Sequence, residues 1–317
     1  MQKKLDSFFK IIPKYDERNK KCFIYDPLNN QAFFDTKPNP TDKFIVNRLN
    51  IKLFYRSPSA DLDIDIPVIE CKYTIPLIKS NLQKAVRRRE NQIAIQSALV
   101  LIQKDPMELL RRLPIIYIED VCLMDSYSIV VWLMIAAKDY GNLRVRDIDI
   151  LLNIVNSLCD CKTCFNYVKN DCVYDFTHEM LQFVQNGSQL LSVYYRSEYG
   201  GLKGDMQMLK VAIDYYRMNP NEVKTTEYNN IVYSKIEREI EVLVEAIDFH
   251  CYPQMLSILN KKTGIEKDTI KMCIWFAESG YNVRKIETQD HSSEYKEKYI
   301  WKNIEIYLEE VRCNMIR

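Results

Sequence analysis

The chain is poor in glycine and histidine, and both shortages exclude classes of protein. Its 317 residues include 7 glycines, about a third of the number that an average usage of roughly 7% predicts. Neither the glycine-rich phosphate loop of nucleotide-driven motors nor the glycine pattern of dinucleotide enzymes occurs in it, which argues against both classes. With 3 histidines, acid-base chemistry that depends on histidine has few options.

Long apolar segments and a targeting signal are also missing. The longest apolar run, residues 129–137, ends at Lys138 and is too short to span a bilayer. The first residues lack the apolar region of a signal peptide. We therefore expect an intracellular protein with no membrane partner, whose 10 cysteines are free thiols in a reducing compartment.

Two periodicities divide the chain into a short β-containing part and a long helical part. Residues 22–35 alternate β-forming side chains around a Pro-Leu-Asn-Asn turn, which is typical of a hairpin, and residues 67–73 resemble a strand. From about Ser80 the period is helical, with Asp105 as a capping residue and Gly141 as a stop. We predict a mainly α fold of one or more multi-helix domains, with a small β-hairpin or irregular N-terminal region and a mobile N-terminal peptide.

The same patterns give the domain boundaries. We expect a tail over residues 1–20, a small β-containing or irregular part over 21–76 and a helical domain over 77–317, whose division near 170 or 220 stays open. Pro114 should end or kink the helix that opens at Pro106. The other helices with clear start or stop signals are predicted over residues 81–89, 147–158, 176–184, 189–199, 205–218, 234–247, 267–278 and 295–311.

The first nine residues carry the most specific motif in the sequence. Gln2, Leu5, Phe8 and Phe9 have the spacing Q-x-x-aliphatic-x-x-aromatic-aromatic, and on one helical turn the last three form a single apolar plug. This pattern resembles the PIP box, the peptide by which replication and repair proteins bind the sliding clamp PCNA. The resemblance implies clamp binding, with the glutamine in a separate shallow pocket. The alternative is an amphipathic turn in which Phe8 and Phe9 pack on the protein's own core.

A second, shorter resemblance comes from residues 94–123. The runs Ala-Leu-Val-Leu-Ile, Asp-Pro-Met-Glu-Leu-Leu-Arg-Arg-Leu and Ile-Glu-Asp-Val-Cys-Leu are similar to the C-terminal helical region of RarA-type clamp-loader relatives. Pro114 interrupts the pattern, and the ATPase half of that family is absent. The resemblance implies an oligomerisation or scaffold module from the replication machinery without its motor.

The charge distribution contains a basic region that the net charge of +1 conceals. Residues 77–112 hold eight basic and three acidic side chains, and such a patch attracts phosphate. The alternative is a solvated face in which Arg111 or Arg112 pairs with Glu108 or Glu119. The candidate nucleic-acid contacts are Lys84, Arg87, Arg88, Arg111, Arg112 and Lys203.

Lys203 belongs to this set because it stands in the densest glycine cluster. Gly200, Gly201 and Gly204 are three of the seven glycines, and such a cluster marks a backbone with unusual torsion angles or a close approach. Lys203 and the start of the following helix can bind a phosphate. The alternative is that Asp205 caps the same amides without a ligand.

An acidic segment offers an alternative enzymatic interpretation. Asp61, Asp63 and Asp65 precede Glu70 and Lys72, an E-x-K pair that shares one face of the predicted strand. This resembles the metal-binding half of restriction-type nucleases, in which carboxylates hold a divalent ion and a lysine orients water. The resemblance implies Asp63, Glu70 and Lys72 as catalytic residues, while an ordinary cross-strand ion pair is the alternative.

A cysteine cluster offers a structural alternative. Cys161 and Cys164 have the spacing of a zinc knuckle, and Cys172 with His178 completes a four-ligand set. Reduced structural thiols are the other interpretation, so no cofactor is assigned and zinc remains an open alternative.

These observations favour an accessory or scaffold protein of DNA replication or repair. It binds the sliding clamp PCNA through its N-terminal peptide and DNA through the basic helical region, and it meets other replication or repair proteins. We expect it in the nucleus or a viral replication compartment. A clamp-tethered divalent-metal nuclease and a helical interaction protein unrelated to DNA are the alternatives.

Overall fold

The computed structural model describes residues 22–58, 62–166, 185–229, 231–248 and 251–316. This part of the protein is mainly α-helical with a small N-terminal sheet, which confirms the predicted fold class. The predicted tail over residues 1–20 and the predicted helix over 176–184 lie outside the described residues.

The N-terminal sheet consists of two hairpins side by side. β1 (Cys22–Asp26) and β2 (Gln31–Asp35) are antiparallel, as the alternation of residues 22–35 predicts, and β3 (Lys43–Arg48) pairs with β4 (Ile51–Tyr55) in the same way. β1 lies parallel to β4, so the strand order is β2-β1-β4-β3. Every residue of β1 is buried, because this central strand packs on helices. The indole N–H of Trp132 donates to the carbonyl of Phe23 at 2.9 Å and fixes that packing.

In the part of the chain that the structure describes, seven helices share one apolar core with the sheet. They are α1 (Ile75–Arg88), α2 (Asn91–Lys104), α3 (Pro106–Asp120), α4 (Tyr127–Tyr140), α5 (Val145–Asp160), α6 (Gly187–Tyr199) and α7 (Lys203–Met218). The Asp105 carboxylate accepts the Met107 N–H at 3.0 Å, and Gly141 ends α4 with φ of 86°, so both predicted helix signals are confirmed.

One predicted boundary in this core is wrong. α1 begins at Ile75 rather than near residue 81, because Pro76 lies in the first turn, where the N–H that proline lacks has no partner to lose. Of the two effects predicted for Pro114, it does not end α3, which continues to Asp120, and the kink stays a prediction.

A second, smaller apolar core lies in the C-terminal part of the chain. It joins α8 (Pro253–Thr263), α9 (Lys267–Ile274), a π-helical turn (Trp275–Ser279), α10 (Ile286–Glu297) and α11 (Tyr299–Ile316). The first core includes residues from Phe23 to Ile236, and the second includes residues from Cys251 to Val311. The boundary between the two apolar cores therefore lies between residues 236 and 251 of the chain.

The two cores are joined by a polar interface in which cationic side chains meet backbone carbonyls. Arg284 donates to the carbonyls of Val86, Leu158 and Cys161, each at 2.7 Å. Val86 lies in the last turn of α1 and Leu158 in the last turn of α5. The Val86 carbonyl also accepts the N–H of Arg89 at 3.2 Å, and carbonyls at a helix end carry the negative end of the helix dipole. One guanidinium thus donates hydrogen bonds to the C-terminal ends of two helices.

The predicted helix over residues 234–247 is wrong. The segment contains only short 3-10 turns, Tyr233–Lys235 and Val244–Ala246. Buried side chains of the first core take up its backbone: Gln96 donates to the carbonyls of Glu237 and Glu239 at 3.1 and 2.8 Å, and Asn81 accepts the N–H of Leu243 at 2.9 Å. Tertiary hydrogen bonds therefore override the helical pattern.

Candidate functional site

A surface pocket of about 380 Å³ lies between α1, α3, α6 and the start of α7. Arg111 and Arg112 of α3 and Arg196 of α6 line it, and we call these three residues the arginine cluster. The sequence predicted Arg111 and Arg112 as nucleic-acid contacts. The predicted Lys203 is exposed and lies between Leu202 and Asp205, which both line the pocket. The fold thus brings together two predicted residues, Arg111 and Arg112, and one that the sequence did not single out, Arg196, while Lys203 lies next to the pocket in the sequence.

Among the described residues, Arg196 is a buried cation that forms no ion pair, although the charge of Asp205 in the same pocket favours its protonated form. Its side chain belongs to a residue that is 3% exposed, and its Nη atoms donate to the carbonyls of Gly200 and Arg111 at 2.9 and 3.2 Å. The Nε–H has no partner, and within the described residues no carboxylate forms an ion pair with this guanidinium. Burial lowers the pKa of Arg196 from its usual value. An uncompensated buried charge costs several kcal/mol, which an anion in the pocket would offset.

The loop between α6 and α7 packs against this guanidinium at the wall of the pocket. Gly200 has φ of 93°, a conformation that side chains disfavour, and its carbonyl accepts from Arg196. A Cβ on Gly201 would lie 3.8 Å from both Nη atoms of Arg196. The absence of a side chain at this position therefore leaves room for the packed guanidinium, whose Nη1 also contacts the Sδ of Met206 at 3.8 Å.

The start of α7 adds hydrogen-bond donors to the same place. Leu202 occupies the N-cap position and no side chain caps the helix, so the capping role predicted as an alternative for Asp205 is not observed. The first amides of a helix carry its positive dipole end and bind anions. Lys203 at this end is electrostatically unfavourable, and Asp205 in the same first turn partly offsets it.

The other charges around the pocket largely cancel. Lys79 pairs with Glu108, and Glu119 pairs with Arg87 at 2.9 Å. Arg112 donates to the neutral amide oxygen of Gln83, and its Nε–H has no partner. Glu108 and Glu119 are therefore already paired, and Asp205 is the remaining carboxylate among the described lining residues. The three arginines of the cluster outnumber it, so the described site is net positive.

The side chains of the other predicted basic residues, Lys84, Arg87 and Arg88, are directed toward the C-terminal part of the protein and not toward the pocket. Lys84 and Arg87 both donate to the carbonyl of Ser279, and Arg88 donates to that of Glu278 at 2.8 Å. Arg87 also pairs with Asp120. Burial, with Arg87 and Arg88 close by, lowers the pKa of Lys84 to about 7. These three residues anchor the C-terminal core instead of facing solvent together with Arg111 and Arg112.

The residues of the nuclease alternative lie on an extended segment before α1. Residues 67–73 form a single β-bridge, from Glu70 to Glu239, rather than the predicted strand. The side chains of Asp63, Glu70 and Lys72 are all exposed. Within the described residues, no three acidic, histidine or cysteine side chains are grouped as ligands for a metal ion.

The cysteines of the zinc alternative are only partly described. Cys161 and Cys164 follow α5, whereas Cys172 and His178 lie outside the described residues. The nearest described thiol to Cys161 in this cluster is Cys122, which the sequence did not include, with 3.6 Å between the two Sγ atoms. The hydrogen bond from Cys122 lowers the pKa of the Cys161 thiol. Cys164 instead donates to the carbonyl of Arg284 at 3.3 Å.

No protein family, curated protein or solved structure matches this chain. The resemblances to the PIP box and to RarA-type proteins therefore stay predictions from the sequence. In the described part of the chain, no helix combines the length and apolar character needed to cross a membrane.

Proposed function

We propose that this protein is an accessory or scaffold factor of DNA replication or repair that joins the sliding clamp PCNA to DNA. Gln2, Leu5, Phe8 and Phe9 bind the clamp, and the arginine cluster binds a phosphate of the DNA backbone. The observation that supports the DNA contact most directly is Arg196, a buried guanidinium at the wall of a surface pocket that forms no ion pair with a carboxylate in the described part of the chain.

A phosphate fits the chemistry of this pocket. Guanidinium groups bind phosphate oxygens through paired N–H donors, and the uncapped start of α7 supplies backbone amides. A volume of about 380 Å³ is at the lower end of the range for ligand sites, and it accommodates a phosphate with part of its sugar. Contacts of this kind read the backbone and not the base sequence.

Tethering by the clamp explains why a single phosphate pocket is enough. A short peptide and a small phosphate site bind weakly by themselves, but each raises the effective concentration of the other once both are engaged. Such a role belongs to the nucleus or to a viral replication compartment, where a clamp encircles DNA, and it includes contacts with other replication or repair proteins.

The DNA contact is tested by fluorescence anisotropy with labelled single-stranded, nicked and flapped DNA over a range of salt concentrations. Each phosphate contact contributes about 0.9 to the slope of log K against log salt. We expect the double variant Arg111→Ala with Arg112→Ala to weaken binding and to lower this slope by about 0.9, the value for the one phosphate that the arginine cluster binds. Lys302→Ala removes an exposed cation of α11 and is the charge control. Equal losses in the control and in the double variant would refute a specific site.

The clamp contact is tested separately by calorimetry with PCNA. Phe8→Ala combined with Phe9→Ala should abolish binding while leaving the circular dichroism unchanged, because these aromatics carry most of the energy of so small a contact. Lys10→Ala serves as the matched variant within the same peptide. An unaltered affinity of the aromatic variant would show that the N-terminal peptide is not the clamp-binding element.

A further inference from the structure

Two cysteines from distant parts of the sequence meet where the C-terminal core docks on the first. Cys122 follows α3 and Cys161 follows α5, and their Sγ atoms are 3.6 Å apart. The hydroxyl of Thr163 lies 3.4 Å from one sulfur and 3.3 Å from the other. A disulfide bond needs about 2.05 Å between its sulfurs, so a shift of about 1.5 Å in two short loops is enough to form it.

The two thiols differ in their access to solvent. Cys122 is 4% exposed, whereas Cys161 is half-buried and opens a loop whose next two residues are exposed. A small oxidant from solvent therefore reaches Cys161 first, and Cys122 lies behind it in contact. Arg284 holds this arrangement, because its Nε–H donates to the carbonyl of Cys161 at 2.7 Å.

We propose that Cys122 and Cys161 form a peroxide-sensitive dithiol that closes to an intramolecular disulfide. The Cys161 thiolate attacks one oxygen of hydrogen peroxide, the O–O bond breaks, and the released hydroxide takes up the proton that Cys161 lost. The sulfur of Cys122 then attacks the sulfur of the resulting sulfenic acid. The S–O bond breaks, and the departing hydroxide leaves as water with the Cys122 proton. Two thiols and one hydrogen peroxide thus give one disulfide and two waters.

The position of the dithiol gives the disulfide a structural effect. The carbonyl of Cys161 accepts from Arg284, and the carbonyls of Asp120 and Glu119, just before Cys122, accept from Asn282 and Lys285 at 2.9 and 2.7 Å. The disulfide therefore links the two backbone segments on which residues 282–285 dock. It also closes a loop of about 40 residues, which restricts the unfolded chain, so we expect the melting temperature to rise.

The test is peptide mapping of the full-length protein before and after hydrogen peroxide, with free thiols blocked before digestion. We expect a peptide pair joined through Cys122 and Cys161, lighter by two hydrogen atoms, and its loss on treatment with dithiothreitol. Cys161→Ser should remove this cross-link, and Cys164→Ser, on the same loop, should retain it. The peptide map of the peroxide-treated wild-type protein decides the question even if a variant does not fold.

Three results would overturn the proposal. The first is oxidation of Cys161 to a sulfinic acid with Cys122 still reduced. The second is a cross-link from Cys161 to Cys164 or to another cysteine. The third is stoichiometric zinc in the purified protein that peroxide releases, because the thiols would then be metal ligands. Zinc is measured with a colorimetric chelator in the same samples.

Discussion

Replacement of Arg196 by methionine separates a cation kept for a ligand from one that supports the fold. Arg196→Met retains most of the side-chain volume and removes the buried charge. It also removes two hydrogen bonds to the carbonyls of Gly200 and Arg111. Charged hydrogen bonds contribute about 1.5–3 kcal/mol each, whereas the desolvation of an unpaired charge costs several kcal/mol.

Two such bonds amount to about 3–6 kcal/mol, which is similar to the desolvation cost, so the two effects nearly cancel. We expect the free energy of unfolding of Arg196→Met to stay within about 2 kcal/mol of the wild-type value. For a chain of this size about 1 kcal/mol corresponds to roughly 2 °C in the melting temperature. The wild-type protein with an oligonucleotide at 100 times its Kd should gain about 2.7 kcal/mol, and the variant should gain almost nothing.

The assay is thermal unfolding followed by circular dichroism, with and without the oligonucleotide, together with urea titration. Arg196→Lys keeps the charge but not the planar fork, so an intermediate gain with DNA is expected. A loss of 3 kcal/mol or more in Arg196→Met without DNA would refute the reasoning, because Arg196 would then hold α3 and the glycine loop together. An undiminished gain of the variant with DNA would refute it equally.

Three further predictions concern the interface and the irregular segment. Folding lowers the pKa of Lys84 from 10.5 to about 7. Between these pH values Lys84 is protonated in the unfolded chain and neutral in the folded one, so the free energy of unfolding rises with pH. Urea titrations from pH 7 to 10 should show a flatter dependence of this free energy on pH for Lys84→Met than for the wild type. Asp248→Ala leaves the buried Arg312 without its main partner and should cost about 3–5 kcal/mol, measured by urea unfolding with Asp290→Ala as an exposed control. Gln96→Ala removes three hydrogen bonds to residues 237–241, at about 1 kcal/mol each, and should speed proteolysis there; an unchanged cleavage pattern would contradict this role.

Local chemistry made part of the fold predictable. The hairpin of β1 and β2 and the start of α3 follow from turn and capping residues within a few positions of each element. The segment from residue 234 has an equally helical pattern, but Asn81 and Gln96 bind its backbone from more than 140 positions away. No local signal in that segment reveals such partners.

The candidate site shows the same limit. Arg111 and Arg112 are recognisable as a basic pair, and the glycines near Lys203 indicate an unusual backbone. Lys84 and Arg87 look equivalent to them in the sequence, yet their partner, the carbonyl of Ser279, lies nearly 200 positions away. Arg196 carries no local mark except the glycine pair that follows it. Which cations face solvent is decided by how α1 packs, and that is a tertiary property.

The hydrogen bonds of Arg284 join a side chain on one side of the junction to main-chain carbonyls on the other. The junction therefore depends on the identity of the residue at the donor side and not at the acceptor side. Any residue that keeps α1 and α5 helical presents the same oxygen atoms, so substitutions at Val86 or Leu158 preserve the junction as far as their own packing allows. Arg284 has no such freedom, since lysine cannot supply several N–H groups in one plane. In a mutational scan, substitutions of Arg284 should therefore weaken the junction directly, whereas tolerance at Val86 and Leu158, which are both fully buried, should be set by their packing in the first core alone.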